Sequence, residues 1–111
     1  MDSTEFERIF EETIETSRKT LFEKAREYAY ANDRMHNFHK ASVLIDGTPE
    51  QALWGFVVKH LVSLSDMIES GQNYPDAVWE EKIGDSLNYL ILLRALVKEE
   101  SKKWSAMNSE K

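Results

Sequence analysis

Two carboxylates and an amide recur at helical spacing in the last third of the chain. Glu81, Asp85 and Asn88 occupy positions i, i+4 and i+7, so a helix carries them on one strip. The surrounding apolar residues predict a widely buried helix, where unpaired carboxylates are costly. Mg²⁺ is one candidate partner, because it takes carboxylate oxygens and keeps several waters. The structural alternative has Glu81 exposed and Asp85 paired with a Lys or Arg of a neighbouring helix.

A second polar strip is predicted on the preceding helix. Lys59, Ser63 and Asp66 share this strip beside an apolar stripe, and His60 lies next to it. If the strip faces Glu81 across a bundle, Lys59 would offer a phosphate a positive charge, and Asp66 would offer a metal another oxygen. The alternative is an ordinary solvated face with a local attraction between Lys59 and Asp66.

Basic, aromatic and amide side chains are concentrated between residues 24 and 40. Tyr28 or Phe38 could stack on a base there, while a basic group such as Arg34 could contact phosphate. In the alternative interpretation Tyr28 and Phe38 are core residues, Asn37 caps a short helix, and two histidines are interfacial. The candidate ligand-binding residues of this stretch are Lys24, Tyr28, Arg34, His36, Asn37 and Phe38.

The first long helix that positions these residues is predicted from about Ser3 to Ala31. Thr4 and Glu7 have the spacing of a capping box, and apolar residues then recur at helical spacing. Residues 32–34 interrupt the pattern, because Asn and Asp favour turns. A short helix is predicted from His36 to Leu44.

The second long helix has the clearest start in the chain. Thr48 can cap it, Pro49 suits its first position, and Gln51 completes a capping box. We expect it to end at about Ser70, with Gly71 in a left-handed conformation. Its predicted buried stripe consists of Leu53, Trp54, Val57, Val58, Leu61, Leu64 and Ile68.

A third long helix is predicted from about Pro75 to Lys103, and the tail 104–111 is expected to fray. The fold class is therefore all-α, with three long amphipathic helices and a short connecting helix. Residues 1–111 form a single helical domain whose core spans about 4–103. Large apolar residues exceed what three helices absorb, so we expect oligomerisation, most simply a homodimer, to complete the bundle.

Composition and charge limit the classes of function. With 41% hydrophobic and 31% charged residues, the chain resembles packed helical proteins. Its net charge of -6 disfavours general nucleic-acid binding. The longest apolar run, Tyr89 to Leu93, is far short of the ~20 residues that span a bilayer, so we expect no membrane association and a cytoplasmic location. Without Cys, a metal would need carboxylate, imidazole or amide ligands.

From about Leu21 to Leu96 the sequence resembles short helical phage and prophage proteins of the nucleotide-modification-associated domain 1 type. The segments that carry this resemblance are Lys24-x-x-Glu27-Tyr28, Asn32 to Phe38, Lys59-His60 with Ser65-Asp66, and Lys82 to Tyr89. The resemblance implies a helical, nucleotide-related domain, in the host cell cytoplasm if the chain is phage-encoded.

The stretch from Glu81 to Asn88 also resembles the second acidic helix of the MazG-like all-α nucleoside triphosphate pyrophosphohydrolases. An acid, a Gly-Asp pair and following apolar residues are typical of that helix. The resemblance implies that Glu81 and Asp85 are magnesium ligands in hydrolysis of a nucleotide triphosphate chain. Hydrolysing members usually carry Glu-x-x-Glu on the preceding core helix, whereas residues 59–66 offer one acid, Asp66. Hydrolysis and binding without turnover both stay open.

Two functional hypotheses follow. In the first, the chain binds a nucleotide or nucleotide-like molecule with Mg²⁺, between the second and third long helices and under the Tyr28 to Phe38 segment. Its enzymatic form is Mg²⁺-dependent hydrolysis of a (modified) deoxynucleotide triphosphate. In the second, a non-enzymatic phage protein binds and inhibits a host protein through an acidic helical surface. Metal ligands in the first hypothesis are Glu81, Asp85 and Asp66, and Lys59, His60 and Asn88 join the ligand-binding residues.

Overall fold

The structure is a computed structural model that describes residues 1–23 and 33–109 of the 111-residue chain. The described residues contain the helices α1 (Ser3–Glu23), α2 (His36–Leu44), α3 (Pro49–Ser70) and α4 (Asp76–Ser109). The all-α prediction is confirmed. The stretch from Lys24 to Ala31, predicted to continue the first helix, lies outside the described residues.

The ends of α3 have the predicted chemistry. The backbone N–H of Gln51 donates to Thr48 Oγ1 over 3.1 Å, and the backbone N–H of Thr48 donates to Gln51 Oε1 over 2.9 Å. This reciprocal pair is a capping box, and Pro49 occupies the first turn. At the other end, Gly71 has a φ of 66°, a left-handed conformation that glycine adopts without a steric cost.

Two other helix ends differ from prediction. The backbone N–H of Glu5 donates to Asp2 Oδ1 over 2.8 Å, so Asp2 caps α1 in place of the predicted Thr4 box. An aspartate suits this position because its charge also complements the helix dipole. The tail from Trp104, expected to fray, continues α4 as far as Ser109. Good helix formers such as Lys103 and Met107 account for this extension.

Helix α4 is the central element, because α3 and α1 both pack on it while α2 packs on α3. Its 34 residues give a length of about 51 Å at ~1.5 Å per residue, which sets the longest dimension of the chain, 54 Å. Leu53 of α3 and Leu96 of α4 are fully buried and form a core cluster with Met35 and Phe38. Tyr89, Leu92 and Leu93 pack against this cluster.

Several apolar side chains predicted to be buried are exposed in the single chain. In α3, Trp54 is 50% exposed and Ile68 is 69% exposed, although Leu53 and Val57 of the same predicted stripe are buried. Phe6 at the start of α1 is 64% exposed. The radius of gyration is 17.1 Å, against about 13 Å for a compact domain of this size. The other helices therefore cover only part of each apolar face.

Among the described residues, no helix has both the length and the apolar character required to cross a membrane.

Candidate functional site

An open cavity of about 260 Å³ lies between α1 and α4. Its polar lining consists of Thr16, Thr20, Glu80, Glu81, Asp85 and Asn88, and its small apolar lining consists of Ala77 and Gly84. The strip Glu81, Asp85 and Asn88 thus shares one face of α4, as its spacing predicts. The strip opens onto α1. The prediction that it faces α3 is wrong. Periodicity defines a helix face without defining the neighbour that it meets.

Three polar residues of the cavity were not predicted from the sequence as site residues: Thr16, Thr20 and Glu80. Thr16 and Thr20 stand at i and i+4, so they occupy one face of α1 among residues taken to be packing or solvated. Glu80 precedes Glu81, and both carboxylates reach the same cavity. The spacing of Thr16 and Thr20 on α1 could have indicated a polar face. It points to the cavity only in combination with the packing of α1 on α4.

Thr16 lies beside Glu80 at the wall of the cavity. Its single hydroxyl hydrogen has two acceptors within reach, the carbonyl oxygen of Glu12 at 3.0 Å and Glu80 Oε1 at 3.2 Å. Thr16 can therefore donate within its own helix or across to α4, one at a time. The contact across to α4 orients one carboxylate of the cavity and leaves its second oxygen for another partner.

Two buried polar atoms near α1 and α4 have no hydrogen-bond partner within the described part of the chain. They are Asn88 Oδ1, in a residue that is 7% exposed, and Ser17 Oγ, in a residue that is 3% exposed. Burying a polar group without a partner costs about 1–3 kcal/mol. Asn88 also lines the cavity, so its amide oxygen is a potential ligand for a cation there.

The described residues of the cavity lining carry three carboxylates and no basic side chain. Within residues 1–23 and 33–109, Asp85 makes no ion pair, so the described residues do not supply the Lys or Arg partner of the structural alternative. Glu81 is exposed, as that alternative expects. Burial, and then the charge of Asp85, raise the pKa of the Tyr89 phenol above its usual value. The chemistry of this lining favours a cation.

The predicted strip on α3 does not line this cavity. Lys59 and Asp66 are exposed, and Ser63 is half-buried. The ring of His60 stacks on Tyr89, with the two centroids 5.0 Å apart and the planes at 23°. Tyr89 also stacks on Phe56, with centroids 5.5 Å apart. His60 therefore takes part in aromatic packing between α3 and α4.

The predicted ligand-binding residues before α2 are only partly described. Lys24 and Tyr28 lie outside the described residues. The Arg34 Nη2 donates to the carbonyl oxygen of Leu21 over 2.8 Å, and its guanidinium carbon lies 6.0 Å from the centroid of the Phe22 ring. Arg34 thereby joins the segment before α2 to the end of α1, one residue from Thr20 of the cavity.

On α2, Phe38 is 8% exposed and belongs to the core cluster. Its ring meets the Phe56 ring edge to face, with centroids 6.2 Å apart. This position favours the core interpretation of Phe38 over stacking on a base. His36 is half-buried and Asn37 is exposed on the same helix. Asn37 lies inside α2, whose N-terminal flanking residue is Met35, so it does not cap the helix as the alternative interpretation expects.

Comparison of the chain with protein-family models, with curated proteins and with solved structures finds no match. The nucleotide-related resemblances of the sequence therefore stay predictions.

Proposed function

We propose that this chain binds a nucleotide through Mg²⁺ at the cavity between α1 and α4, with hydrolysis of a (modified) deoxynucleotide triphosphate as the enzymatic form of the same function. The observation that carries the proposal is that Glu80, Glu81 and Asp85 line one open cavity, to which the described part of the chain contributes no basic side chain. Three carboxylates around one cavity give it a negative potential that attracts a cation and repels an anion unless a cation is bound.

The donor set of the cavity suits Mg²⁺. All its polar groups are oxygen donors of the kind that a hard cation prefers, and Asn88 Oδ1 lacks a protein partner among the described residues. Bound Mg²⁺ would neutralise phosphate charge and polarise a phosphoryl oxygen. Asp85 and Glu81 are the proposed ligands. Glu80, whose Oε1 lies within hydrogen-bond distance of Thr16 Oγ1, is the proposed proton acceptor for a water molecule.

The size of the cavity favours the phosphate end of a ligand. A cavity of about 260 Å³ is slightly smaller than the ~300–1,000 Å³ that encloses a whole drug-sized molecule. The base and sugar would therefore lie outside it. Arg34, anchored beside Thr20 through the Leu21 carbonyl oxygen, is the proposed positive group for phosphates that extend beyond the metal.

Calorimetry with a panel of canonical and modified deoxynucleoside triphosphates tests this proposal. We expect saturable binding of at least one of them in the presence of Mg²⁺ and none after chelation by EDTA. A parallel assay for released phosphate or pyrophosphate separates hydrolysis from binding without turnover. Absence of heat with every nucleotide in the presence of Mg²⁺ would contradict the proposal.

Gly84 offers a variant that separates helix stability from ligand binding. A Cβ added to Gly84 would meet no atom within 4 Å, so packing against the described residues does not require glycine. In a helix interior, alanine is favoured over glycine by about 0.5–1 kcal/mol. We expect Gly84→Ala to raise the thermal midpoint and to weaken nucleotide binding, since its methyl group enters the cavity lining. Unchanged affinity in the stabilised variant would show that the ligand stays clear of Gly84.

We also propose that two copies of the chain associate through their exposed apolar faces. The accessible surface is 8669 Å², against about 6,300 Å² for a compact monomer of 12.9 kDa. The difference is comparable to the surface that stable homodimers bury. Light scattering at micromolar concentration is expected to give twice the chain mass. The monomer mass under these conditions would count against the dimer.

The alternative function is binding and inhibition of a host protein through an acidic helical surface, which the net charge of -6 supports. Val43, Leu44 and Ile45 add an apolar group at the end of α2 that a partner could cover, 79%, 80% and 56% exposed in turn. A single partner recovered at fixed stoichiometry from host lysate, with or without nucleotide, would favour this function. Under it, Asp85→Ala leaves inhibition of that partner unchanged.

A further inference from the structure

A second group of metal-ligand side chains lies away from the cavity. Asp33 precedes α2, His39 lies within α2, and Glu99 lies in the C-terminal half of α4. The potential ligand atoms of these three residues, one imidazole nitrogen and two carboxylate oxygens, all lie within 4.8 Å of one another. His39 and Glu99 are 60 residues apart in sequence, so the fold, and not local spacing, assembles the group.

The side chains of the group contact one another or the backbone. The His39 Nε2 lies 2.7 Å from Glu99 Oε1, and both side chains are partly buried, at 28% and 36% exposed. The backbone N–H of Met35 donates to Asp33 Oδ1 over 2.9 Å, which orients that carboxylate and leaves its second oxygen for a ligand. Protein groups that orient metal ligands in this way are a usual part of metal sites.

We propose that Asp33, His39 and Glu99 form a binding site for a divalent transition cation, with Zn²⁺ as its best-matched ion. An imidazole nitrogen favours a transition ion over Mg²⁺, and the two carboxylates complete a ligand set without thiolate. Zn²⁺ binds nitrogen and oxygen ligands at about 2.0–2.2 Å, so tetrahedral ligand atoms lie about 3.3–3.6 Å apart. The distances between the potential ligand atoms run from 2.7 Å for the His39–Glu99 pair to an upper limit of 4.8 Å for the whole group, a range that includes the tetrahedral spacing.

The ammonium group of Lys103 lies next to this group of side chains. The Lys103 Nζ lies 3.5 Å from Glu99 Oε1 and 3.4 Å from Glu100 Oε1, and its side chain is 57% exposed. Exposed ion pairs of this kind contribute little free energy. Lys103 can therefore keep its contact with Glu100 when Glu99 turns to the metal. This makes Glu100 a matched control, since it shares Lys103 and neighbours Glu99 without belonging to the group.

The proposed ion would link α2 to α4, two helices that both pack on α3. Helix α2 packs on α3, and His39 extends from α2 to Glu99 on α4. A metal bound by the folded chain alone stabilises it by mass action. With three protein ligands, water would complete the coordination of Zn²⁺. The site contains no residue of the α1–α4 cavity, so its metal binding does not depend on the nucleotide function.

The test titrates metal-free full-length chain with Zn²⁺ by calorimetry, with Mg²⁺ titrated in parallel. We expect one Zn²⁺ per chain, a higher thermal midpoint with Zn²⁺, and much weaker binding of Mg²⁺ at this group. His39→Gln and Glu99→Gln should each weaken Zn²⁺ binding by about tenfold or more, since loss of supporting groups alone costs about 10- to 100-fold.

Glu100→Gln is the control for charge near the site and should keep its Zn²⁺ affinity within about twofold of the unsubstituted chain. Circular dichroism of the metal-free variants checks that each is folded, and Glu99→Gln serves if His39→Gln is not. Absence of Zn²⁺ binding would overturn the proposal. Equal affinity in the unsubstituted chain and in the His39, Glu99 and Glu100 variants would overturn it as well, because the ion would then bind elsewhere.

Discussion

Asp85→Asn is expected to weaken Mg²⁺-dependent nucleotide binding by about 10- to 100-fold, which corresponds to the ~1.5–3 kcal/mol carried by one interaction with a charged group. Asp85 lines the cavity and has no ion-pair partner among the described residues, so its charge is available for a cation. Asparagine keeps the shape of the side chain and removes the charge. Calorimetry with the nucleotide that binds best in the panel provides the measurement.

Asp66→Asn is the matched control for this variant. Both substitutions change an aspartate to asparagine and shift the net charge of -6 by one unit, so any effect of the overall field is the same in the two proteins. Asp66 is exposed on α3 and does not line the cavity. We expect the nucleotide affinity of Asp66→Asn to stay unchanged. An equal loss in both variants would show that the overall charge controls the affinity and would contradict the proposed cavity.

The pKa of Tyr89 reports the charge at Asp85. Burial, followed by the charge of Asp85, raises the pKa of the Tyr89 phenol. Removing that charge should therefore lower the pKa of Tyr89, whereas Asp66→Asn should leave it in place. Absorbance titration of phenolate, taken as a difference against Tyr89→Phe, measures this shift. A Tyr89 titration that does not move in Asp85→Asn would contradict the described proximity of the Asp85 charge to Tyr89.

Helix ends were largely predictable from the sequence because their chemistry is local. Thr48 and Gln51 satisfy each other's backbone N–H groups three residues apart, and Gly71 takes the left-handed conformation directly after α3. The start of α1 was mispredicted at the same local level. Asp2 and Thr4 are both competent caps, and Asp2 adds a charge that suits the helix dipole.

The candidate cavity was predictable only on its α4 side. Spacing alone placed Glu81, Asp85 and Asn88 on one strip, but it carried no information on whether α1 or α3 would face them. Thr16 is neutral and common on helix surfaces, so nothing local marked it as a contact of Glu80. The role of Thr16 beside Glu80 could therefore be identified only from the packing between α1 and α4.

Burial was the weakest part of the sequence prediction. The apolar pattern of α3 identifies a face that prefers to be covered, yet Trp54 and Ile68 on that face remain exposed in the single chain. A pattern of this kind is the same whether a helix of the same chain or a second copy provides the cover. The group of Asp33, His39 and Glu99 was missed for a related reason, since no local spacing links residues so far apart in sequence.

Leu96→Ala is expected to lower the free energy of unfolding by about 2–5 kcal/mol, the cost of removing a fully buried leucine side chain from a packed core. Leu96 is 0% exposed on α4 and packs in the cluster that also contains Met35, Phe38 and Leu53. Those three residues come from α3 and from the segment at α2, so the substitution loosens two contacts of α4 together. The total free energy of unfolding of a small domain is about 5–15 kcal/mol, so urea denaturation should show a large fall in the unfolding midpoint.

Leu90→Ala on the same helix is the control for this stability prediction. It removes the same atoms from a side chain that is 44% exposed, so we expect a cost of less than about 1 kcal/mol at protein concentrations that leave the chain monomeric. A cost for Leu90 that grows with protein concentration would instead show that a second copy buries this face. A cost below about 1 kcal/mol for Leu96 itself would contradict the core described for α2, α3 and α4.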